Sequence, residues 1–323
     1  MKTYSLLAAA KINLYLEIIG NRSDGFHELV MVMQSVNLAD RITLRGLRMP
    51  TIQIHCDHPQ VPTDETNLAF RAAALLAETF PENINQQGGV EITIEKHIPV
   101  GAGLAGGSSN AAATLVGLDL LWNLGLTQIE LMQLGAKLGS DVPFCILGGT
   151  AIATGRGELL DPISNAQNTK DNRLYAVLAK YESLFVSTPW AYKTYRQQFG
   201  DTYIQVTDVA TLSERQQRVH SGPMVGAISA QNPSAIGQHL YNDLEKVVLP
   251  AHPSVAQLRE TMANAGGLGA LMSGSGPTVF TLAETQAEAD KIAQTIRTQL
   301  PDPDLKLWVT QFEPTGLRLL NDP

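Results

Sequence analysis

The strongest chemical signal in the chain is Pro99-Val100-Gly101-Ala102-Gly103-Leu104-Ala105-Gly106-Gly107-Ser108-Ser109-Asn110. Glycine has no Cβ, so such a backbone can take positive φ and approach a ligand closely. Successive N–H groups then form an anion-binding concavity, and a following helix adds the positive end of its dipole. Ser108 and Ser109 place hydroxyls where phosphate oxygens or a magnesium ion would sit. Gly101, Gly103 and Gly106 also satisfy GxGxxG, the fingerprint of dinucleotide-binding turns. The context argues against that fingerprint, because antiparallel-looking strands precede the loop and no βαβ unit opens on it. Asp119, which would have to meet a ribose, falls inside the helix. No lysine follows the glycines, which excludes a Walker A loop.

Two further residues stand out. Lys11 heads a strand in which Ile12, Leu14, Leu16 and Ile18 alternate with Asn13, Tyr15 and Glu17, which places Lys11 and Asn13 on one face. A cation at that position either snorkels from the strand end or serves a site. Asp141 lies in Ser140-Asp141-Val142-Pro143, where an arbitrary carboxylate reads first as a helix N-cap or a solvated loop residue. His55-Cys56-Asp57-His58 has metal-ligating side chains, but adjacent residues in a strand-to-loop stretch rarely converge on one ion, so it reads as surface.

The elements that must position these groups follow from periodicity. A polar turn, Asn21-Arg22-Ser23-Asp24-Gly25, leads through Phe26-His27 to an apolar stretch at 29–38. Residues 41–55 read as strands interrupted by Gly46 and Pro50, 66–79 as an alanine-rich helix, and 90–98 as a strand. A helix is expected from about Ser108 to Trp122, and Thr127 with Glu130 has the spacing of a capping box opening a helix through Lys137. An apolar run covers 144–153. Residues 164–172 read as an exposed loop and a boundary region. A second glycine-rich loop at 266–277 precedes a strand at Thr278–Leu282. Strand pairs mixed with helices imply an α+β fold in two lobes with a cleft between them, divided into 1–160 and 161–323.

Composition narrows the classes of function. With 44% hydrophobic and 17% charged residues, the chain has ample material for a packed core and does not read as disordered. A net charge of −8 without a basic stripe argues against nucleic acid as a partner. Two cysteines, Cys56 and Cys145, without a CxxC pattern, fit a reducing compartment. The first twenty residues are broken by Lys11, Asn13 and Glu17, so they read as a strand rather than a signal peptide or membrane span. The expectation is a soluble, cytoplasmic protein.

Pro-x-Gly-x-Gly-Leu-x-Gly-Gly-Ser-Ser-Asn-Ala-Ala resembles the central ATP loop of the GHMP small-molecule kinases. Ala10-Lys11-Ile12-Asn13-Leu14 is similar to that family's N-terminal strand motif, and Gly274-Ser275-Gly276-Pro277-Thr278 to its C-terminal glycine motif. Leu138-Gly139-Ser140-Asp141-Val142-Pro143 resembles the segment holding its catalytic aspartate. Arg22–Leu29, Ser187–Tyr192 and Asn242–Glu245 resemble segments of members whose acceptor alcohol is carried on a cytidine diphosphate. The matches keep their order over nearly the whole chain.

The resemblance implies the GHMP two-lobed fold, ATP and Mg2+ as cofactors, and phosphorylation of a hydroxyl on a small cytidine diphosphate substrate. It implies that Asp141 accepts the hydroxyl proton while Lys11 keeps that carboxylate ionised and stabilises transition-state charge. Pro99, Val100, Gly101, Ala102, Gly103, Leu104, Ala105, Gly106, Gly107, Ser108 and Ser109 would bind ATP. Asn13, Gly274 and Ser275 would hold the acceptor, Phe26 would stack on cytosine, His27 would bond its edge, and Phe185 would supply the opposite face. Protein ligands of magnesium are not specified, with Ser108 and Ser109 the nearest candidates. Two departures stand out: Phe26 replaces a usual tyrosine, and Ala105 a common glycine. Other GHMP kinases acting on mevalonate, homoserine or a sugar remain alternatives, with a nicotinamide-dependent oxidoreductase more distant. A monomer or weak homodimer, with no membrane partner, is expected.

Overall fold

The computed structural model describes residues 2–163, 173–204 and 209–320. The expected loop and boundary at 164–172 lies outside them. The first sheet is built from β1 (Thr3–Asn21), β2 (His27–Gly46), β3 (Ile52–Cys56), β4 (Val90–Glu95), β5 (Thr150–Gly155) and β6 (Leu159–Pro162). The second contains β7 (Tyr175–Tyr181), and two residues, β8 (Tyr241–Asn242), then return to the first sheet. β9 (Ala270–Met272), β10 (Val279–Ala283) and β11 (Leu305–Gln311) complete the second sheet in the order β11-β7-β10-β9. β12 (Leu317–Leu320) rejoins the first, giving a main path β12-β1-β2-β4-β3.

The helices of the first half are α1 (Leu68–Thr79), α2 (Pro81–Gln87), α3 (Gly106–Trp122), α4 (Gln128–Leu138) and α5 (Val142–Leu147). Next come α6 (Thr188–Phe199), α7 (Val209–His220), α8 (Pro223–Ser229) and α9 (Pro233–Gln238). α10 (Glu245–Ala251), α11 (Pro253–Ala263) and α12 (Gln286–Gln299) finish the chain's helices among the described residues. The fold is α+β and two-lobed. One core packs α1, α3, α4 and α5 on the first sheet through Leu44, Ile92, Leu115 and Trp122, and another packs α10–α12 on the second through Val279, Leu258 and Ile296.

Local chemistry explains several boundaries. Asn67 caps α1 by accepting from the Ala69 N–H at 2.8 Å. Thr127 and Glu130 form both reciprocal bonds of the expected capping box at the start of α4. The expected apolar run at 144–153 is divided by Gly148 and Gly149, both at positive φ, into the end of α5 and β5.

β1 departs from the simple alternation. Asn13 pairs with Met33 and Tyr15 with Val32, so Leu14 has no partner in the ladder. That extra residue is a bulge and resets which side chains share a face. Ile12 and Leu14 pack with Val30 and Val32, whereas Leu16 and Ile18 pack with Met31 and Met33. The four apolar residues therefore divide between two cores instead of lining one face. β1 is also covered on both sides, which leaves Lys11 and Asn13 deep in the structure.

Candidate active site

Lys11 is 4% exposed, and its position on β1 aims Nζ at two oxygens. Nζ donates to Asn13 Oδ1 at 2.8 Å and stands 3.5 Å from Asp141 Oδ2. The bulge at Leu14 follows directly, and Asn13 Nδ2 turns to Met31 Sδ at 3.4 Å. Asp141 precedes α5 but its carboxylate caps no helix N–H. Its side chain remains 30% exposed. A carboxylate free of a capping duty beside a buried ammonium can accept a proton from a bound hydroxyl.

This pair opens on a cavity of about 840 Å³. One side is the loop leading into α3, where Gly101, Gly103 and Ala105 have φ of 60°, 74° and 59°. Left-handed backbone turns N–H groups inward as an anion site requires. The loop is pinned at both ends by Asp40, which is fully buried. Asp40 accepts from the His97 and Ile98 N–H groups, each at 2.8 Å, and from Asn110 Nδ2 at 2.7 Å. It also holds Lys96 in a buried ion pair, so Lys96 reaches the cavity wall beside Gly106.

The second glycine-rich loop closes the cavity above Lys11. Gly274 has φ of 56°, which favours glycine, and a Cβ there would stand 3.2 Å from the Gly103 carbonyl oxygen and 3.6 Å from Lys11 Nζ. Asn242 sets its height, donating through Nδ2 to the Met272 carbonyl at 2.7 Å and the Gly274 carbonyl at 2.8 Å. Ser275 Oγ bonds Thr188 Oγ1 at 2.7 Å, which ties the loop to the start of α6.

The far wall is made by the turn before β2 and by α6. Phe26 is 49% exposed, and the Arg156 guanidinium lies 5.2 Å from its ring centroid. His27 packs on Tyr192 with ring centroids 5.0 Å apart, and Arg196 Nε lies 3.3 Å from its Nε2. Burial, reinforced by the Arg196 charge, pushes the His27 pKa down to about 4, so its imidazole is neutral. Among the described residues, Lys11, Lys96, Arg156, Lys193 and Arg196 line the cavity against the single carboxylate of Asp141. In a chain of net charge −8, such a focus of cations fits polyphosphate ligands.

Residues 67–149 match the GHMP kinases N terminal domain, and residues 220–302 the GHMP kinases C terminal domain. The chain is 60% identical over 319 residues to the 4-diphosphocytidyl-2-C-methyl-D-erythritol kinase of Gloeothece citriformis, covering 99% of both chains. The chain belongs to the GHMP kinase family. It is also 58% identical to the enzyme of the same name from Trichormus variabilis over the full length of each. Among solved GHMP kinases, a 4-(cytidine 5'-diphospho)-2C-methyl-D-erythritol kinase superposes with a TM-score of 0.71 at 31% identity, covering 96% of this chain and 99% of that one. Homoserine kinase from Cytophaga hutchinsonii gives 0.74 at 20% identity over 99% and 98%, a likeness of fold.

Membership in the GHMP kinases displaces the dinucleotide reading, and the topology shows why it fails. β4 pairs antiparallel with β2 and parallel with β3, and the next strand after α3, β5, pairs with β2 rather than with β4, so no βαβ unit opens on the loop. Asp119 accepts from the Leu126 N–H at 2.9 Å and serves the end of α3.

The structure brings Lys11, Asn13, Phe26, His27, Asp141, Gly274 and Ser275 to one cavity with Pro99, Val100, Gly101, Ala102, Gly103, Leu104, Ala105, Gly106, Gly107 and Ser108. Ser109 faces away: it is fully buried and its hydroxyl donates to the Ala9 carbonyl at 2.7 Å, fastening α3 to β1. Phe185, 65% exposed, lies against Gly101, where an added Cβ would stand 2.6 Å from its ring. Sequence reasoning passed over Asp40, Lys96, Arg156 and Arg196, and it named Tyr192 and Asn242 only as parts of resembling segments, without roles of their own. Lys96 had a signal, three residues before the loop; Arg156, Tyr192 and Arg196 line the cavity from distant segments, while Asp40 and Asn242 hold its two loops without lining it.

Proposed function

We infer that this chain is an ATP-dependent kinase that phosphorylates the 2-hydroxyl of 4-diphosphocytidyl-2-C-methyl-D-erythritol, giving the 2-phosphate and ADP in non-mevalonate isoprenoid biosynthesis. One observation carries the reading. The Lys11–Asp141 pair lies between an anion-binding glycine loop and an aromatic, cationic wall, in a chain 54–60% identical end to end to enzymes of that name.

In this reading the acceptor oxygen attacks the γ-phosphorus of ATP. An O–P bond forms, the bond to the ADP oxygen breaks, and the hydroxyl proton passes to Asp141. Lys11, held by Asn13, stabilises the negative charge gathering on the transferred group and holds the carboxylate in place. The glycine loop with Lys96 takes the ATP phosphates, and Gly274 presents its backbone to the acceptor beside Lys11. Phe26 and His27 meet the cytosine. Mg2+, when bound, would supply positive charge to the phosphates. The Ser108 hydroxyl on the cavity wall would be a side-chain oxygen able to hold it.

Residues 1–160 bring the glycine loop, Lys11 and Asp141, and 161–323 bring α6 and the second glycine loop. The same reading has the enzyme working on small molecules in the cytoplasm, as a monomer or weak homodimer. Among the described residues no helix is long and apolar enough to cross a membrane.

The test is ADP release by the purified chain with ATP and a panel of alcohols. The cytidine diphosphate form of methylerythritol is expected to be used, and free methylerythritol, mevalonate and homoserine are not. Equal turnover of mevalonate or the free polyol removes the substrate assignment.

A further inference from the structure

His27 offers two ring nitrogens, and the structure commits one of them. Arg196 Nε lies 3.3 Å from His27 Nε2, while Arg196 Nη2 donates to the Gly25 carbonyl at 2.9 Å. A guanidinium has five donors, no lone pair to offer, and does not deprotonate in proteins. Nε2 must therefore accept, and in a neutral imidazole the proton then resides on Nδ1. Tyr192 flanks the ring at 5.0 Å and Tyr203 meets it edge-on at 5.9 Å and 87°, so its plane is fixed as well. Among the described residues, Nδ1 has no hydrogen-bond partner, yet His27 lines the cavity. The low pKa of about 4 keeps the ring from gaining a second proton near neutrality.

We propose that Arg196 is a positioning residue that makes the acceptor site selective for cytosine by holding His27 in the tautomer that donates from Nδ1. This rests on the cytidine reading above and adds the physical basis of base choice. Cytosine presents N3 as an acceptor, whereas uracil carries a proton there. A fixed Nδ1–H meets the first with a hydrogen bond and the second with two opposed donors. Without Arg196 the imidazole is free to move its proton to Nε2, and Nδ1 then accepts from uracil.

The experiment compares kcat/KM for CDP-methylerythritol and its UDP counterpart in the wild type, Arg196→Met and Arg196→Lys. Nitrogen-15 NMR of histidine-labelled protein reads the tautomer, with His27→Gln assigning the signal among seven histidines. The wild type is expected to show Nδ1–H at His27. Arg196→Met is expected to shift it toward Nε2–H and lower the cytidine-to-uridine ratio roughly 5- to 150-fold, the range for stranding a buried donor. Arg196→Lys, which keeps a donor, is expected to restore part of the ratio. Wild-type His27 protonated on Nε2 would overturn the proposal even if the variants fold poorly. So would an unchanged ratio with both substrates equally impaired, which is the result if Arg196 merely props Gly25. A wild type that uses neither nucleotide overturns the functional reading itself, and is told apart because the unaltered enzyme fails.

Discussion

The Ser273 hydroxyl donates to the carbonyl oxygen of Gly103 at 3.2 Å, joining the two glycine-rich loops directly. Gly103 has φ of 74°, and a Cβ there would stand 2.4 Å from the Ser273 carbonyl oxygen. Gly103→Ala is therefore expected to disturb the loop junction as well as nucleotide binding. The left-handed backbone alone costs an L-residue about 1–2 kcal/mol, and the backbone contact adds to it. Thermal melts should show a loss of several degrees and initial rates a raised ATP KM. A variant matching wild type in both contradicts the packing described.

Asp141→Asn is expected to lower kcat by about 10²–10⁴-fold, the usual scale for a lost general base. The melting temperature should barely move, because the carboxylate caps no helix. Lys11→Met should also lower kcat steeply, and the double variant should cost little more than the worse single one, since groups acting as a unit are not additive. Multiplying losses in the double variant would separate the two residues functionally.

Phe26→Ala is expected to raise KM for the cytidine substrate roughly 5- to 150-fold, the span of about 1–3 kcal/mol for a base on an aromatic ring. Phe26→Tyr should be nearly neutral because the ring and its stack with Arg156 survive. Neither should alter the ATP KM. An unchanged cytidine KM in the alanine variant places the base elsewhere on the wall.

The depressed pKa of His27 predicts a pH dependence of stability. Its value in the unfolded chain is near 6.5 and about 4 in the fold. The unfolded state therefore binds a proton first as pH falls. The contribution is complete above 6.5 and is lost progressively down to about 4. His27→Gln should flatten the denaturation midpoint against pH across that window. Parallel curves for the two proteins would show that His27 does not titrate so.

Local patterns carried much of this in the sequence. The glycine runs, the Thr127–Glu130 box and the Lys11-x-Asn13 spacing are each decided by neighbours within a few residues. Leu14 shows the limit: its bulge depends on how β2 pairs, and no pattern within β1 announces it. Ser109 looked like a phosphate hydroxyl beside Ser108, but adjacent helical residues point in different directions, and Ser109 meets Ala9. Arg196 and His27 come together across 169 residues of sequence, a relationship set by packing of α6 on the turn before β2. Ala105 was visible as a replacement for glycine, while its left-handed φ of 59° emerged only with the fold.

The pairing of β12 with Ser5–Ala8 of β1 bears on how the protein is made. A chain leaving the ribosome presents β1 long before β12, the strand that covers this edge. Throughout synthesis that stretch displays unsatisfied amides and carbonyls to any extended peptide nearby. Nascent chains stalled before residue 317 should thus be the aggregation-prone species, and a holding chaperone has most to protect along Ser5–Ala8 of β1.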